Sequence, residues 1–333
     1  MPTPDEIKTV LDTVPVPGAN RSLVKMNLVK DIGVKDGKVD IALAGAALME
    51  GTRTWLTEKT RKAVARLESV EEVNISFADV KPKELNDIKH VIAVMSGKGG
   101  VGKSVVASLT AAALRRQGFE VGILDADITG PSIPKMFGIS GQPPIAESGM
   151  LPVPSDSGIQ LMSVNLLLPS EDEAVIWRGP LIGHAITQFW EEVLWGKLDY
   201  LIVDLPPGTA DAPLTVMQQL PVSGIIIVFT PQELTAMVVR KAVKMARQMN
   251  KPILGVVENM SYLYVPEIDK KMEIFGKSRA EEMARAAGAP LLGQLPIDPE
   301  LVKLCDEGRI EQYSSEAYNT FARKLTGVLS GSN

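Results

Sequence analysis

A single cysteine, Cys305, stands in a chain of 333 residues, so no intrachain disulfide can form. Histidine is almost as scarce. His90 and His184 are the only two, too few and too far apart in sequence for a triad or an imidazole metal site. Aromatic residues make up 5% of the chain, which leaves the interior to aliphatic side chains. No apolar run approaches the roughly 20 residues that a membrane span needs, and no dense Lys/Arg block appears. With 35 basic against 40 acidic residues, neither nucleic acid nor a membrane is expected as a partner. The opening MPTPDEIKTV has no positive n-region and no apolar h-region, so the expectation is a cytoplasmic protein. What the chain does have is a hydrophobic content of 45%, enough for a sizeable core, and the length for one large domain with a small one.

The pattern changes along the chain. Residues 1–80 read as a small α+β domain: a short helix over Asp5–Asp12, strands over Val24–Val34 and Lys38–Ala44, a helix over Thr52–Glu68 and a strand over Val70–Phe77. Asp36-Gly37 between the first two strands is a strong hairpin signal. The helix presents Leu56, Thr60, Ala63, Val64 and Leu67 on one face. The polar, proline-led stretch 81–89 reads as a linker. From residue 90 to 333, short continuous apolar strands alternate with helical segments. They fall at Val91–Met95, Val121–Leu124, Ile159–Val164, Tyr200–Leu205, Gly224–Phe229, Ile253–Val257 and Leu291–Gln294. That alternation predicts an α/β domain with a mostly parallel sheet covered on both faces. Residues 140–158, rich in Pro, Gly and Ser, read as a surface loop.

The chemistry centres on Gly97-Lys98-Gly99-Gly100-Val101-Gly102-Lys103-Ser104, between the strand Val91–Met95 and a helix over Val105–Arg116. Strand, glycine loop and helix form the context that a phosphate-binding loop requires. Glycines let backbone N–H groups converge on phosphate oxygens, and the helix N-terminus adds partial positive charge. Lys103 is placed to reach the terminal phosphates and Ser104 to hold Mg²⁺. A second lysine, Lys98, marks the loop as the deviant kind and points to dimeric ATPases. Its expected role is to cross to the partner subunit and neutralise γ-phosphate charge there. Asp125-Ala126-Asp127 ends the next strand; Asp127 is assigned to orient the attacking water, with Asp125 in support. Asp204 ends the apolar strand Tyr200–Val203 and is assigned to the Mg²⁺ shell, with Pro206-Pro207-Gly208 as a γ-phosphate sensor. Asn259 and Pro296, each just beyond a strand end, are the candidates for the adenine pocket. At the C-terminus Ala317, Phe321, Leu325 and Val328 trace one helix face, expected to dock on the chain's own domain.

These segments, together with Gly130-Pro131-Ser132-Ile133-Pro134, Trp177-Arg178-Gly179-Pro180, Trp195-Gly196-Lys197-Leu198-Asp199-Tyr200, Thr230-Pro231-Gln232, Glu258-Asn259-Met260-Ser261-Tyr262 and Ile274-Phe275-Gly276, resemble the Mrp/ApbC family of P-loop ATPases. That family sits in the MinD/ParA-like group, and the first 80 residues resemble the MIP18-type domain often fused to it. The resemblance implies an ATP-binding, ATP-hydrolysing homodimer that needs Mg²⁺. It also implies a role in iron–sulfur cluster assembly or transfer, with assembly or recipient proteins as partners and a [4Fe–4S] cluster as cargo. Family members place a Cys-x-x-Cys after the Glu-Asn-Met-Ser-Tyr segment; here those positions fall on Val265 and Ile268. Ala46-Ala47 occupies the region where relatives of the N-terminal domain often carry a cysteine. A dimer would supply only two Cys305 thiols against the four thiolates a cluster normally takes, so no iron–sulfur ligand is identified. The alternative reading is a MinD/ParA-like nucleotide switch that positions a protein partner without any cluster. A kinase-like transferase is disfavoured by Lys98.

Overall fold

The computed structural model describes residues 1–333 except 128–129, 168–178, 210 and 332–333, and the side chains of 179–182, 233–236 and 238. Trp177 and Arg178 lie outside the described residues. The chain divides into two compact units. The first comprises 1–89 with 142–154 and 188–198; the second comprises 90–141, 155–187 and 199–333.

In the first unit, α1 (Pro4–Leu11) starts in a capping box, in which the Thr3 hydroxyl accepts from the Glu6 N–H and the Glu6 carboxylate from the Thr3 N–H. Strands β1 (Val29–Lys35) and β2 (Lys38–Ala44) pair antiparallel. Their two-residue turn holds Asp36 at φ 49° and Gly37 at φ 79°, the left-handed pair that a tight hairpin demands. Helix α2 (Glu50–Val64) then crosses over, and β3 (Glu72–Ala78) pairs parallel to β2. Leu56, Thr60 and Val64 of α2 are buried.

Three expectations need correction here. The first strand begins at Val29 rather than Val24, because Asn27 takes a left-handed φ of 56° and breaks the extended run. Residues 81–89 are not an open linker. Pro82 at the first helical position starts a one-turn helix, Pro82–Leu85, and the Asn86 side chain accepts from the N–H groups of Trp195 and Gly196. Finally, 140–158 is not a free surface loop: its Met150 and Leu151 are buried. Leu151 and Leu194 pack in the same core as Leu23, Leu28 and Leu43, so distant segments complete the N-terminal unit.

The second unit is built on β4 (Asp87–Ser96), α3 (Lys103–Arg116), β5 (Val121–Asp125), β6 (Gln160–Ser163), β7 (Lys197–Asp204), α4 (Asp211–Gln219), β8 (Gly224–Phe229), α5 (Glu233–Gln248), β9 (Ile253–Glu258), α6 (Ala280–Ala287), β10 (Leu291–Gln294), α7 (Pro299–Asp306) and α8 (Glu316–Ser330). The strands line up β6-β5-β7-β4-β8-β9-β10. The pairs β6/β5, β7/β5, β4/β8, β8/β9 and β9/β10 are all parallel. This is the mostly parallel α/β sheet expected from the uninterrupted apolar strands.

The strand order explains where chemistry can occur. β4 neighbours β7 and β8, with the chain leaving toward opposite sides, so the carboxyl ends of β4, β5 and β7 open onto one crevice. Helix α3 lies deep: Val106, Ala107, Leu109, Ala111 and Leu114 are fully buried, and its alanines permit close approach to the sheet. His90 stacks on Tyr200 with ring centroids 5.3 Å apart, and His184 is exposed, so each serves packing or surface. Helix α8 buries Tyr318, Phe321, Leu325 and Leu329. It docks on its own domain as expected, but Tyr318 and Leu329 replace Ala317 and Val328 on the buried face.

Candidate active site

β4 runs out at Ser96 and the chain turns through the glycine loop into α3. Gly100 and Gly102 both sit at φ 77°, a conformation costly to residues with a Cβ. Gly102 is the N-cap of α3 and no side chain caps that helix, so its first-turn N–H groups are left for an anionic ligand. The loop is held at both ends. The Ser96 hydroxyl donates to the Lys98 carbonyl at 2.9 Å, and the Asn259 side-chain amide donates to the Val101 carbonyl at 2.9 Å. A Cβ on Gly102 would lie 2.1 Å from the Asn259 amide nitrogen, so glycine is required there by space as well as by φ.

Four titratable groups, Lys103, Asp125, Asp127 and Asp204, lie below the loop. Lys103 Nζ donates to Asp204 Oδ1 at 2.6 Å and lies 3.6 Å from Asp127 Oδ2. The Ser104 hydroxyl donates to the other Asp204 oxygen at 2.5 Å. Asp204 is brought here because β7 pairs in register with β5, Asp204 opposite Asp125. Asp125 is fully buried and accepts from the N–H groups of Asp127, Ser132 and Ile133 and from the Ser163 hydroxyl. Burial first, and the Asp204 carboxylate next, push Asp125 up to about 8, against the pull of Lys103. Burial raises Asp204 as well, with the Lys103 ammonium as its main counterweight.

The Lys103 ammonium therefore faces two carboxylates, Asp127 and Asp204, while Asp125 behind them is held in its neutral form near pH 7. The hard oxygens of Ser104 and Asp204, side by side, suit a small divalent cation. A cleft of about 470 Å³ opens over this cluster, lined by Gly99, Gly100, Gly102, Lys103, Ser104 and Asp127 among others. The structure thus brings together the loop, Lys103, Ser104, Asp127 and Asp204.

Other predicted residues lie differently. Lys98 is half-buried and its ammonium rests on the Gln232 side-chain oxygen. The Gly208 N–H donates to the Ser96 carbonyl at 3.0 Å, which ties the Pro-Pro-Gly turn to the base of the loop. Asn259 is buried and its amide nitrogen braces Val101. Pro296 lines a separate cleft of about 810 Å³ together with Tyr262, Gln294 and Asp298.

Two supporting residues stood in the segments that carry the resemblance but had been given no role. Gln232, just past the end of β8, holds Lys98. Glu258, fully buried, accepts from Ser261 Oγ, Ser278 Oγ, the Arg279 N–H and Gln294 Nε2 at 2.6–3.0 Å. It fixes the turn that presents Asn259.

Thiol chemistry is absent from the site. Cys305 sits on α7, half-buried, and burial pushes its thiol up to about 11. Among the described residues no group of three or more His, Cys, Asp or Glu is arranged to hold a metal ion. Asp269, one of the carboxylates near the Val265 and Ile268 positions, accepts from the Tyr264 hydroxyl at 2.8 Å.

Residues 87–329 match the family model described as NUBPL iron-transfer P-loop NTPase. The chain belongs to this family. Residues 4–77 match a second model, described as iron-sulfur cluster assembly protein. An iron-sulfur cluster carrier protein of Synechocystis sp. is 38% identical over 349 residues, covering 99% of either chain. The cytosolic Fe-S cluster assembly factor NUBP2 of Bos taurus is 44% identical, covering 70% of this chain and 88% of that one. Among solved structures, a nucleotide-binding protein from Archaeoglobus fulgidus in complex with ADP is 47% identical over 70% of this chain and 92% of that one, with a TM-score of 0.63. The cell division ATPase MinD of Pyrococcus furiosus, 21% identical with a TM-score of 0.54, shares the fold.

Proposed function

We propose that this protein is a Mg²⁺-dependent ATPase that serves iron–sulfur cluster assembly or transfer and acts as a homodimer in the cytoplasm. The observation that carries the reading is the convergence of Lys103, Ser104, Asp127 and Asp204 beneath a glycine loop whose helix end is uncapped. The loop N–H groups and Lys103 bind the β- and γ-phosphates of ATP. Ser104 and Asp204 would hold Mg²⁺, which supplies neutralisation of developing phosphate charge. Asp127, which lines the cleft 3.6 Å from Lys103, orients the attacking water. Lys98 leaves Gln232 to reach the partner subunit's nucleotide, and the contact between Gly208 and Ser96 lets the turn after β7 respond to the γ-phosphate. Asn259 supports the loop from the side on which the adenine is placed.

The cluster is cargo in this reading, and the residues present do not fit it as a ligand set. One half-buried, protonated thiol per chain falls short of the thiolate shell a cluster needs. The thiols come from a donor or recipient protein, and nucleotide turnover drives the exchange. Among the described residues no helix is long and apolar enough to cross a membrane.

Two measurements test the proposal together. Purified protein with Mg²⁺ and ATP should release phosphate, and Lys103→Ala should abolish nucleotide binding or turnover; failure to take up adenine nucleotide would end the ATPase reading. Anaerobic incubation with iron and sulfide, read by visible absorption and iron content, should leave the isolated protein without a cluster. A cluster that forms and survives Cys305→Ser would refute the cargo arrangement. The same Mg-ATPase with no effect on cluster transfer between a donor and an acceptor would favour the MinD/ParA-like switch.

A further inference from the structure

Between Glu233 and Glu258 the chain carries five cations, Arg240, Lys241, Lys244, Arg247 and Lys251, and no carboxylate, although the whole molecule has a net charge of −5. Arg240, Lys244 and Arg247 are spaced i, i+4, i+7 on α5, which places them in one stripe about 10 Å long. All three are exposed. None of the five has an ion pair or side-chain hydrogen bond among the described residues. The stripe forms one wall of a cleft of about 570 Å³ whose floor includes Val243 of α5 and Ala286 of α6. One turn before Arg240, Met237 is 49% exposed.

Helix-dipole compensation accounts for part of this. The Arg247 guanidinium reaches Gly288, at the C-terminal end of α6, where a cation is favourable. Arg240 stands in the middle of α5 and Lys244 one turn before its last residue, outside the final turn to which the dipole effect is confined.

We propose that the α5–α6 groove docks an acidic segment of a partner protein, its carboxylates meeting Arg240, Lys244 and Arg247 and an apolar side chain meeting Met237. Charge complementarity identifies the occupant: a concentrated, unneutralised cationic stripe on an acidic molecule attracts carboxylates locally. The groove contains no aromatic platform for bases. Met237 is the only large apolar side chain exposed on α5 among its described residues, too little to insert in a bilayer. The position has a mechanical consequence. Gln232, the N-cap of α5, holds the Lys98 ammonium, so a segment seated on α5 rests on the helix tied to the phosphate loop.

The test is fluorescence anisotropy of a labelled helical peptide built from Leu-Ala-Glu-Glu repeats, titrated with the full-length protein. Binding is expected to weaken with added salt. The double change Arg240→Glu/Lys244→Glu should lower affinity roughly tenfold or more, with ATP affinity unchanged. Arg240→Gln/Lys244→Gln should give a smaller loss in the same direction and carries the test if the charge-reversed protein does not fold. Failure of the peptide to bind, equal binding of a Leu-Ala-Gln-Gln control, or indifference to both variants would overturn the proposal. So would tighter binding of duplex DNA or phosphatidylglycerol vesicles, or self-association of the protein, if lost in the glutamine variant.

Discussion

Replacing Gly102 by alanine tests the architecture of the phosphate loop in a way that separates backbone strain from packing. The residue sits at φ 77°, and a side chain in the left-handed region costs about 1–2 kcal/mol. The new methyl would also lie 2.1 Å from the Asn259 amide nitrogen. Asn259 must then move, which breaks its bond to the buried Val101 carbonyl. Leaving such a group unsatisfied costs about 1–3 kcal/mol. Gly102→Ala alone should therefore cost about 2–5 kcal/mol, the sum of strain and the broken bond. Asn259→Ala alone should cost about 1–3 kcal/mol, from the lost bond only. The informative measurement is Gly102→Ala in the Asn259→Ala background. The clash is then gone and only strain remains, so the second change should cost about 1–2 kcal/mol. Urea denaturation of the four proteins gives the cycle, and equilibrium binding of a fluorescent ATP analogue gives an independent reading at the loop. Additive costs in both assays would show that the two residues do not meet, and would refute this account of the loop.

Further predictions concern charge and turnover. Asp127→Ala should slow phosphate release while leaving nucleotide affinity nearly intact, measured by steady-state hydrolysis beside equilibrium binding; equal loss in both would remove its assignment to water. Lys98→Ala should slow hydrolysis likewise, and unchanged turnover at concentrations that support dimers would defeat the cross-subunit role. Asp125 gives a pH dependence. Its folded pKa, about 8, stands above the ordinary aspartate value of 3.8, so the folded protein retains a proton that the unfolded chain releases. This contribution is complete below about pH 4 and is lost as pH rises toward 8. Asp125→Asn should flatten that decline in the nucleotide-free protein, and an unaltered slope in denaturation midpoints against pH would contradict it.

The strands of the second unit were legible because each is apolar throughout and bounded by polar turns, as a strand buried on both faces must be. Gly224–Phe229 and Leu291–Gln294 come out to the residue. The hairpin at Asp36-Gly37 was legible because few residues accept two successive positive φ values. The clustering of Asp125, Asp127 and Asp204 could be read from their places at strand ends, since topology brings the ends of neighbouring parallel strands together. What could not be read depends on contacts distant in sequence. Nothing around Gln232 announces that it receives the Lys98 ammonium across 134 positions. Nothing near Asn259 shows that it faces the 102nd residue rather than solvent. The left-handed Asn27 that shortens the first strand is a local choice, yet the apolar pattern around it favours an extended chain.

The composite make-up of the N-terminal unit has a consequence for biosynthesis. Leu151 and Leu194 belong to its core, so that core stays unfinished until the ribosome has delivered residue 198, well into the P-loop NTPase portion. The small domain therefore cannot mature first and wait. During translation it must hold its half-built interior against aggregation until the later segments arrive, and a gene fragment ending near residue 80 would encode a protein with part of its interior exposed to water.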